Sequence, residues 1–218
     1  MIVNERITAY INSLEPELTP ELLALEKEAL QKHVPIIKKE TQGVLKFLLQ
    51  LQQPKRILEV GTAIGFSALF MSEYSSKDCR ITTIEKVPMR LEEAVKNLSD
   101  ERFAQRAKVQ LLQGEALEIL KQLVQEKQQY DMIFLDAAKA QYMSFLPELM
   151  NLLEDKGMLI TDNVLQDGTV TQSRYSITRR DRTIHTRMRE YLHAITHMEE
   201  LSSVVLPVGD GVALSHRN

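Results

Sequence analysis

Short apolar runs and helical patterns alternate along most of this chain, but before residue 54 helical spacing is all there is. Ile2, Ile7, Tyr10, Ile11 and Leu14 recur near a 3.6-residue period. Thr19-Pro20-Glu21 has the form of a helix start, with a capping hydroxyl, proline at the first position and an acid in the first turn. Leu22, Leu23, Leu25, Ala29 and Leu30 continue that pattern up to Pro35. A third helix, from about residue 38 to 51, carries Val44, Leu45, Leu48 and Leu49 and is closed by Pro54.

After Pro54 the rhythm changes. RILEV (56–60), RITTI (80–84), KVQLL (108–112), YDMIFL (130–135) and GMLIT (157–161) read as buried strands. Helical patterns lie between them, at about 65–74, 88–98, 115–126 and 141–153. Strands alternating with helices of this length predict a parallel sheet wound by right-handed crossovers. A polar, arginine-rich stretch from about 167 to 182 then precedes a helix ending near His197. Two last strands, 201–206 and 212–216, flank Pro207-Val208-Gly209-Asp210-Gly211. So short a connection joins antiparallel neighbours, because a parallel crossover needs about a dozen residues. The prediction is an α/β, doubly wound, mostly parallel seven-stranded sheet with a C-terminal antiparallel hairpin. It forms one domain over 1–218, with a helical extension at 1–53 and a core at 54–218.

Composition adds exclusions. A length of 218 residues suits one domain, and 44% hydrophobic with 26% charged residues is ordinary globular usage, too apolar for a disordered chain. Cys79 is the sole cysteine, so an internal disulfide or a multi-cysteine metal site is excluded, and a reducing compartment fits. No apolar run reaches the roughly 18 residues of a membrane span. The first residues carry acids instead of a basic start and an apolar stretch, so no secretory signal is expected. The expectation is a cytoplasmic protein without a membrane partner.

The strand ends carry the candidate chemistry. Glu59-Val60-Gly61-Thr62-Ala63-Ile64-Gly65-Phe66-Ser67 leads from the first strand into a helix. Glycines there permit close backbone approach, and helix N-terminal amides, with Ser67, offer donors. The spacing Gly61-x-x-x-Gly65 lacks the third glycine of a pyrophosphate-binding turn. Glu59 can instead receive a cationic group such as an amino-acid ammonium. Glu85 ends the second strand 24 residues past Gly61, where an acid can accept ribose hydroxyls. Gly114-Glu115-Ala116 follows the third strand, where an adenine edge would lie. Each feature alone is also what a tight turn or helix cap looks like. Together they predict a ligand with ribose, adenine and a charged amino acid but no pyrophosphate, which is S-adenosylmethionine.

Strand four ends at Leu135-Asp136-Ala137-Ala138-Lys139-Ala140-Gln141-Tyr142, and strand five at Thr161-Asp162-Asn163. Asp136, Asp162 and Asn163 supply oxygen donors without nitrogen or sulfur, which suits a hard cation such as Mg²⁺. An aspartate after a strand can equally cap the next helix.

These three segments, in this order and spacing, resemble the cation-dependent O-methyltransferases of the catechol and caffeoyl-CoA type, over roughly residues 35–217. The resemblance implies a Rossmann-like class I methyltransferase fold and Mg²⁺ held by Asp136, Asp162 and Asn163. It also implies Lys139 as base or proton carrier beside Asp136. The cofactor set it implies is Thr41, Glu59, Gly61, Ser67, Glu85, Glu115, Ala116, Asp136 and Tyr142, with packing as the other reading of Tyr142. A homodimer is expected, with the N-terminal helices as contact surface. The tail, Asn163-Val164-Leu165-x-x-Gly168, Arg179-Arg180-x-Arg182-Thr183-Ile184 and Leu206-Pro207-Val208-Gly209-Asp210-Gly211, is similar to a bacterial subgroup. That subgroup includes enzymes converting tRNA wobble 5-hydroxyuridine to 5-methoxyuridine. Gln166-Asp167 departs from the bulkier or basic residues of that pattern, and Glu115 stands where aspartate is commoner.

The charge supports the same direction once it is resolved along the chain. The total, 27 basic against 30 acidic groups, is −3 and argues against binding nucleic acid by bulk charge. Yet residues 169–191 hold Arg174, Arg179, Arg180, Arg182, Arg187 and Arg189 against Asp181 and Glu190. That segment is +4 and leaves −7 on the rest. Arginines beside an active-site edge can grip phosphates while an acidic body repels non-specific polymer. An arginine-rich solvated helix face, partly paired in a dimer, is the other reading. The expected substrate is the tRNA anticodon loop, with Arg174, Arg179, Arg180 and Arg182 as contacts, and a small catechol-like phenol is the alternative. His193 and His197 are spaced i, i+4, but Ala194 stands where a zinc protease has glutamate.

Overall fold

A computed structural model describes residues 2–218. Three helices come first: α1 (Glu5–Leu14), α2 (Pro20–Gln31) and α3 (Lys39–Gln52). Asn4 caps α1 by accepting from the Arg6 amide, and Pro20 opens α2 as its sequence predicts. The strands are β1 (Arg56–Val60), β2 (Arg80–Glu85), β3 (Lys108–Gln113), β4 (Tyr130–Leu135), β5 (Leu153–Thr161), β6 (Leu201–Leu206) and β7 (Val212–Arg217). Between them lie α4 (Phe66–Tyr74), α5 (Pro88–Leu98), α6 (Ala116–Gln125), α7 (Tyr142–Leu152) and α8 (Arg182–His197).

The seven strands form one sheet in the order β3-β2-β1-β4-β5-β7-β6. β1 to β5 are parallel, while β7 runs antiparallel to both β5 and β6. Side chains alternate across the sheet, as the two-residue strand period requires. Leu58, Val60, Ile133, Leu135 and Leu159 join the core under α6, α7 and α8. Ile57, Met132, Phe134 and Ile160 face the other core, under α2, α3 and α4. Burial on both faces explains why these strands read as continuous apolar runs.

β5 starts earlier than its sequence pattern suggests. Tyr130 pairs with Leu153 and Met132 with Met158, so residues 154–157 bulge between the two pairs. Gly157 makes this turn possible, since a side chain there would meet the Glu154 carbonyl oxygen at 2.7 Å. The arginine-rich stretch is not featureless: 3₁₀ turns form at Gln166–Thr171 and Arg174–Ser176 before α8 begins. Among the described residues no helix is long and apolar enough to cross a membrane.

Candidate active site

Strand register brings the predicted residues to one edge. Val60 pairs with Ile84 on one side and Leu135 on the other, Leu135 pairs with Thr161, and Glu85 pairs with Gln113. The next residue on each strand continues the ladder. Asp136 N donates to the Val60 carbonyl at 3.1 Å, Asp162 N to Leu135 at 3.0 Å, Gly61 N to Ile84 at 3.0 Å and Gly114 N to Glu85 at 3.0 Å. Gly61, Glu85, Asp136, Asp162 and Gly114 therefore line the carboxyl ends of adjacent parallel strands, where open α/β sheets bind ligands.

The turn after β1 needs its first glycine. Gly61 has φ +95°, and a Cβ there would lie 2.2 Å from the Asp136 carbonyl oxygen. Gly65 has φ +88° and opens α4, while Ala63 N donates to Glu85 Oε2 at 2.9 Å. Glu59 points into the sheet layer below this turn and has no exposed surface. It accepts from the Thr83 hydroxyl, which faces it across the β1–β2 register. Its Oε1 makes no well-formed hydrogen bond, though the Ser67 and Thr62 hydroxyls lie close enough to bear on its charge, and the buried Thr41 hydroxyl has no partner. Burial pushes the Glu59 carboxyl up to about 7, and the Asp136 charge adds to this, while the hydroxyls of Ser67, Thr83 and Thr62 temper it. A buried carboxylate oxygen left unpaired is costly, so a ligand donor is the natural complement.

Asp136 and Asp162 form the second feature. Burial raises both carboxyls above the usual range; the Asp136 charge pushes Asp162 further, Asp210 pushes both, and Lys139 opposes the rise. Asn163 follows in a left-handed turn, φ +63°, and its amide N–H donates to Asp162 Oδ1 at 2.7 Å. Among the described residues, no group of three or more His, Cys, Asp or Glu side chains forms a metal site. Two carboxylates and an asparagine amide nevertheless make an all-oxygen donor set. Two buried like charges that resist ionising together are what a divalent cation would relieve. The residues present therefore fit a hard cation held by Asp136, Asp162 and Asn163.

The other predicted residues are placed as follows. Glu85 is buried, and its carboxylate already accepts from the amides of Ala63, Lys86 and Val87. A carboxylate has about four acceptor positions, so one remains for a ribose hydroxyl. Glu115 is exposed at the mouth and pairs with Lys86 at 3.2 Å, with Ala116 opening α6 behind it. Ser67 lies in the first turn of α4 and Thr41 in that of α3, both buried. Lys139 begins a 3₁₀ turn, Lys139–Gln141, directly ahead of α7. Tyr142 has 0% exposure, its ring packs against Tyr191 with centroids 5.5 Å apart, and its hydroxyl donates to the Asp162 carbonyl at 3.3 Å. These contacts favour the packing reading of Tyr142, as a support for the Asp162 turn.

The arginines divide into two kinds. Arg174, Arg179 and Arg180 are exposed, together with Tyr175 at 89%. Arg182 is half-buried and donates from Nε to the Ile177 carbonyl at 3.2 Å, so part of its fork is committed to the fold. Arg187 and Arg189 likewise donate to the carbonyls of Ala140 and Val170. His193 and His197 stack with centroids 3.9 Å apart on the far end of α8.

Sequence reasoning missed Thr62, Thr83, Lys38 and Asp210. Thr83 was findable from register, since it lies opposite Glu59. Lys38 pairs with Asp210, whose carbonyl accepts from the amides of Leu165 and Gln166 at 2.9 and 3.1 Å. The carbonyl bonds tie the β6–β7 loop to the segment just after Asp162-Asn163. The Lys38–Asp210 pair joins residues 172 apart in sequence, which no local pattern reveals.

Comparison with known proteins agrees with this geometry. Over 169 residues the chain is 35% identical to a catechol O-methyltransferase of Niastella koreensis, covering 76% of each chain. It is 28% identical over 210 residues to a caffeoyl-CoA O-methyltransferase of Citrus natsudaidai, covering 93% of this chain and 88% of that one. Its fold matches the O-methyltransferase of Bacillus cereus solved in complex with SAH, with TM-score 0.84, 22% identity and coverage of 98% and 97%. A family model described as O-methyltransferase matches residues 11–218, and this chain belongs to that O-methyltransferase family.

Proposed function

We propose that this O-methyltransferase uses S-adenosylmethionine and a divalent cation to methylate the 5-hydroxyl of 5-hydroxyuridine at the tRNA wobble position, giving 5-methoxyuridine. The observation that carries the choice of substrate is the exposed group Arg174, Tyr175, Arg179 and Arg180 on the segment that leaves the Asp162-Asn163 strand end. A wobble base lies in a single-stranded loop, where a splayed base can stack on an aromatic ring while arginines hold flanking phosphates. The cofactor reading is supported by the buried Glu59 Oε1, which lacks a well-formed hydrogen bond and suits an ammonium, and by the SAH bound to the Bacillus cereus relative.

The chain's own groups then divide the work. Glu59 holds the amino-acid end of the cofactor, with Thr62 and Thr41 offering hydroxyls, and Glu85 accepts from ribose. Ala116, at the start of α6, borders the adenine side. Asp136, Asp162 and Asn163 hold the cation, which when bound lowers the pKa of a coordinated hydroxyl and fixes its angle. Lys139, as the free amine, takes the hydroxyl proton as the oxygen–methyl bond forms and the sulfur–methyl bond breaks, leaving S-adenosylhomocysteine. The 5-hydroxyl and neighbouring O4 of 5-hydroxyuridine offer two vicinal oxygens, as a catechol does.

A small phenol is the second reading, favoured by the 35% identity to a catechol O-methyltransferase. Side-by-side turnover of undermethylated tRNA and of catechol, with S-adenosylmethionine and Mg²⁺, separates the two. Higher kcat/KM on tRNA is expected; turnover of catechol with none on tRNA overturns the RNA reading. A homodimer is also proposed, supported by the exposed apolar side chains Ile7, Tyr10, Ile11 and Leu14 of α1 and Phe47 and Leu51 of α3.

A further inference from the structure

Helix α8 braces the lysine–acid cluster from behind. His185, Met188, Tyr191 and Ile195 form its buried face. Tyr191 shares a 2.6 Å hydrogen bond with Thr161, the residue before Asp162, and packs edge-on against Tyr142. One turn earlier, Arg187 donates from Nη1 to the Ala140 carbonyl at 2.8 Å. Ala140 is the middle residue of the 3₁₀ turn Lys139–Gln141, which is closed by Gln141 N donating to the Ala138 carbonyl at 2.8 Å. The two α8 residues four apart therefore grip both strand-end segments of the site, Tyr191 on the Asp162 side and Arg187 on the Lys139 side.

We infer that Arg187 is a positioning residue for Lys139: its guanidinium fixes the turn that carries the lysine, just after the Asp136 strand end. This rests on the reading of Lys139 as proton acceptor. A lysine stem is flexible, and its Nζ is aimed only as well as the turn beneath it is held. A hydrogen bond from a charged donor is stronger than a neutral one, which suits Arg187 to this task. Because α8 begins where the arginine segment ends, the same helix links the proposed RNA grip to the lysine turn.

The test is a double-mutant cycle with the full chain, S-adenosylmethionine and Mg²⁺, using undermethylated tRNA and catechol as acceptors. Arg187→Ala is expected to lower kcat about 10- to 100-fold on both acceptors, as small misplacements of reacting groups do. KM for both acceptors and for S-adenosylmethionine stays within about twofold, and Arg187→Lys recovers part of the loss. In a Lys139→Met background, Arg187→Ala costs less than about twofold more, because there is no amine left to position. Hydrogen exchange of the amides 138–141 rises in Arg187→Ala while that of β5 does not, and this decides the matter where residual turnover is too slow to follow. Arg187→Gln, which keeps a neutral donor, replaces the alanine variant if that fails to fold. An equal loss in both backgrounds, or unchanged exchange at 138–141, overturns the inference and leaves the Lys139 role standing. A rise in KM for tRNA alone makes Arg187 an RNA contact instead. Full kcat in Lys139→Met overturns the proton-acceptor reading itself, and this inference with it.

Discussion

Replacing Glu59 with glutamine separates what the fold needs from what the ligand needs. The carboxyl has no exposed surface, and burial lifts it from 4.5 to about 7. An acid whose folded-state pKa lies above its unfolded value holds its proton more tightly when folded. Its contribution is therefore full below about pH 4.5 and is lost as pH rises through about 7. At about 1.36 kcal/mol per pH unit, that interval amounts to about 3 kcal/mol of ligand-free stability. For a chain of this size the loss corresponds to about 6–12 °C in Tm. Glu59→Gln keeps the shape and a partner for Thr83 but cannot ionise. The ligand-free variant should match wild type near pH 4 and exceed it by about that amount at pH 8. Asp162 loses stability in the same direction in both proteins; Asp136, whose charge bears on Glu59, is relieved in the variant and adds to the difference. The variant should also bind S-adenosylmethionine at least about tenfold more weakly at pH 8, since a charge-assisted hydrogen bond contributes about 1.5–3 kcal/mol. Thermal unfolding from pH 4 to 8 and cofactor titration at pH 8 measure both. Parallel pH curves for the two proteins, or unchanged cofactor affinity, would refute the assignment of Glu59 as a buried, ligand-seeking carboxylate.

Other perturbations test the remaining parts of the site. Asp162→Ala should abolish cation-dependent turnover while relieving repulsion on Asp136; full activity in chelator-treated wild type counts against the cation. Gly61→Ala should cost about 2–4 kcal/mol, combining left-handed strain with overpacking against the Asp136 carbonyl. Gly65→Ala meets Leu98 side-chain atoms at 3.4 Å and the Ala94 Cα at 3.8 Å, ordinary contacts, and should cost about 1–2 kcal/mol. Denaturant titration that ranks them the other way would remove the close-approach argument. Arg179→Ala with Arg180→Ala should weaken tRNA binding and flatten the log–log salt dependence by about 1–2, as expected for two lost contacts to single-stranded phosphates. An unchanged slope means that neither arginine touches phosphate.

Much of the fold was legible because its physics is local. RILEV and YDMIFL are strands at their predicted limits, since burial on both faces makes each a short continuous apolar run. The antiparallel end followed from the length of the 207–211 connection alone. The bulge at 154–157 was not legible, because its polar residues read equally well as the loop before a strand. In the site, the acids announced themselves by standing at strand ends, and the β1–β4–β5 register places Asp136 beside Asp162. Tyr142 was ambiguous because a motif fixes position along the chain and leaves open which way the ring turns. The ring is turned inward by Tyr191, from a helix some fifty residues on. The division of the arginines into those that hold a backbone carbonyl and those that do not was likewise hidden, since both kinds share one stretch of sequence.

The most direct test of the central claim is nucleoside analysis by mass spectrometry of undermethylated tRNA after incubation with the enzyme, S-adenosylmethionine and Mg²⁺, with and without chelator. Conversion of 5-hydroxyuridine to 5-methoxyuridine that stops on chelation is the predicted result. Intact 5-hydroxyuridine under metal-replete conditions, from enzyme that methylates catechol in the same buffer, would contradict it.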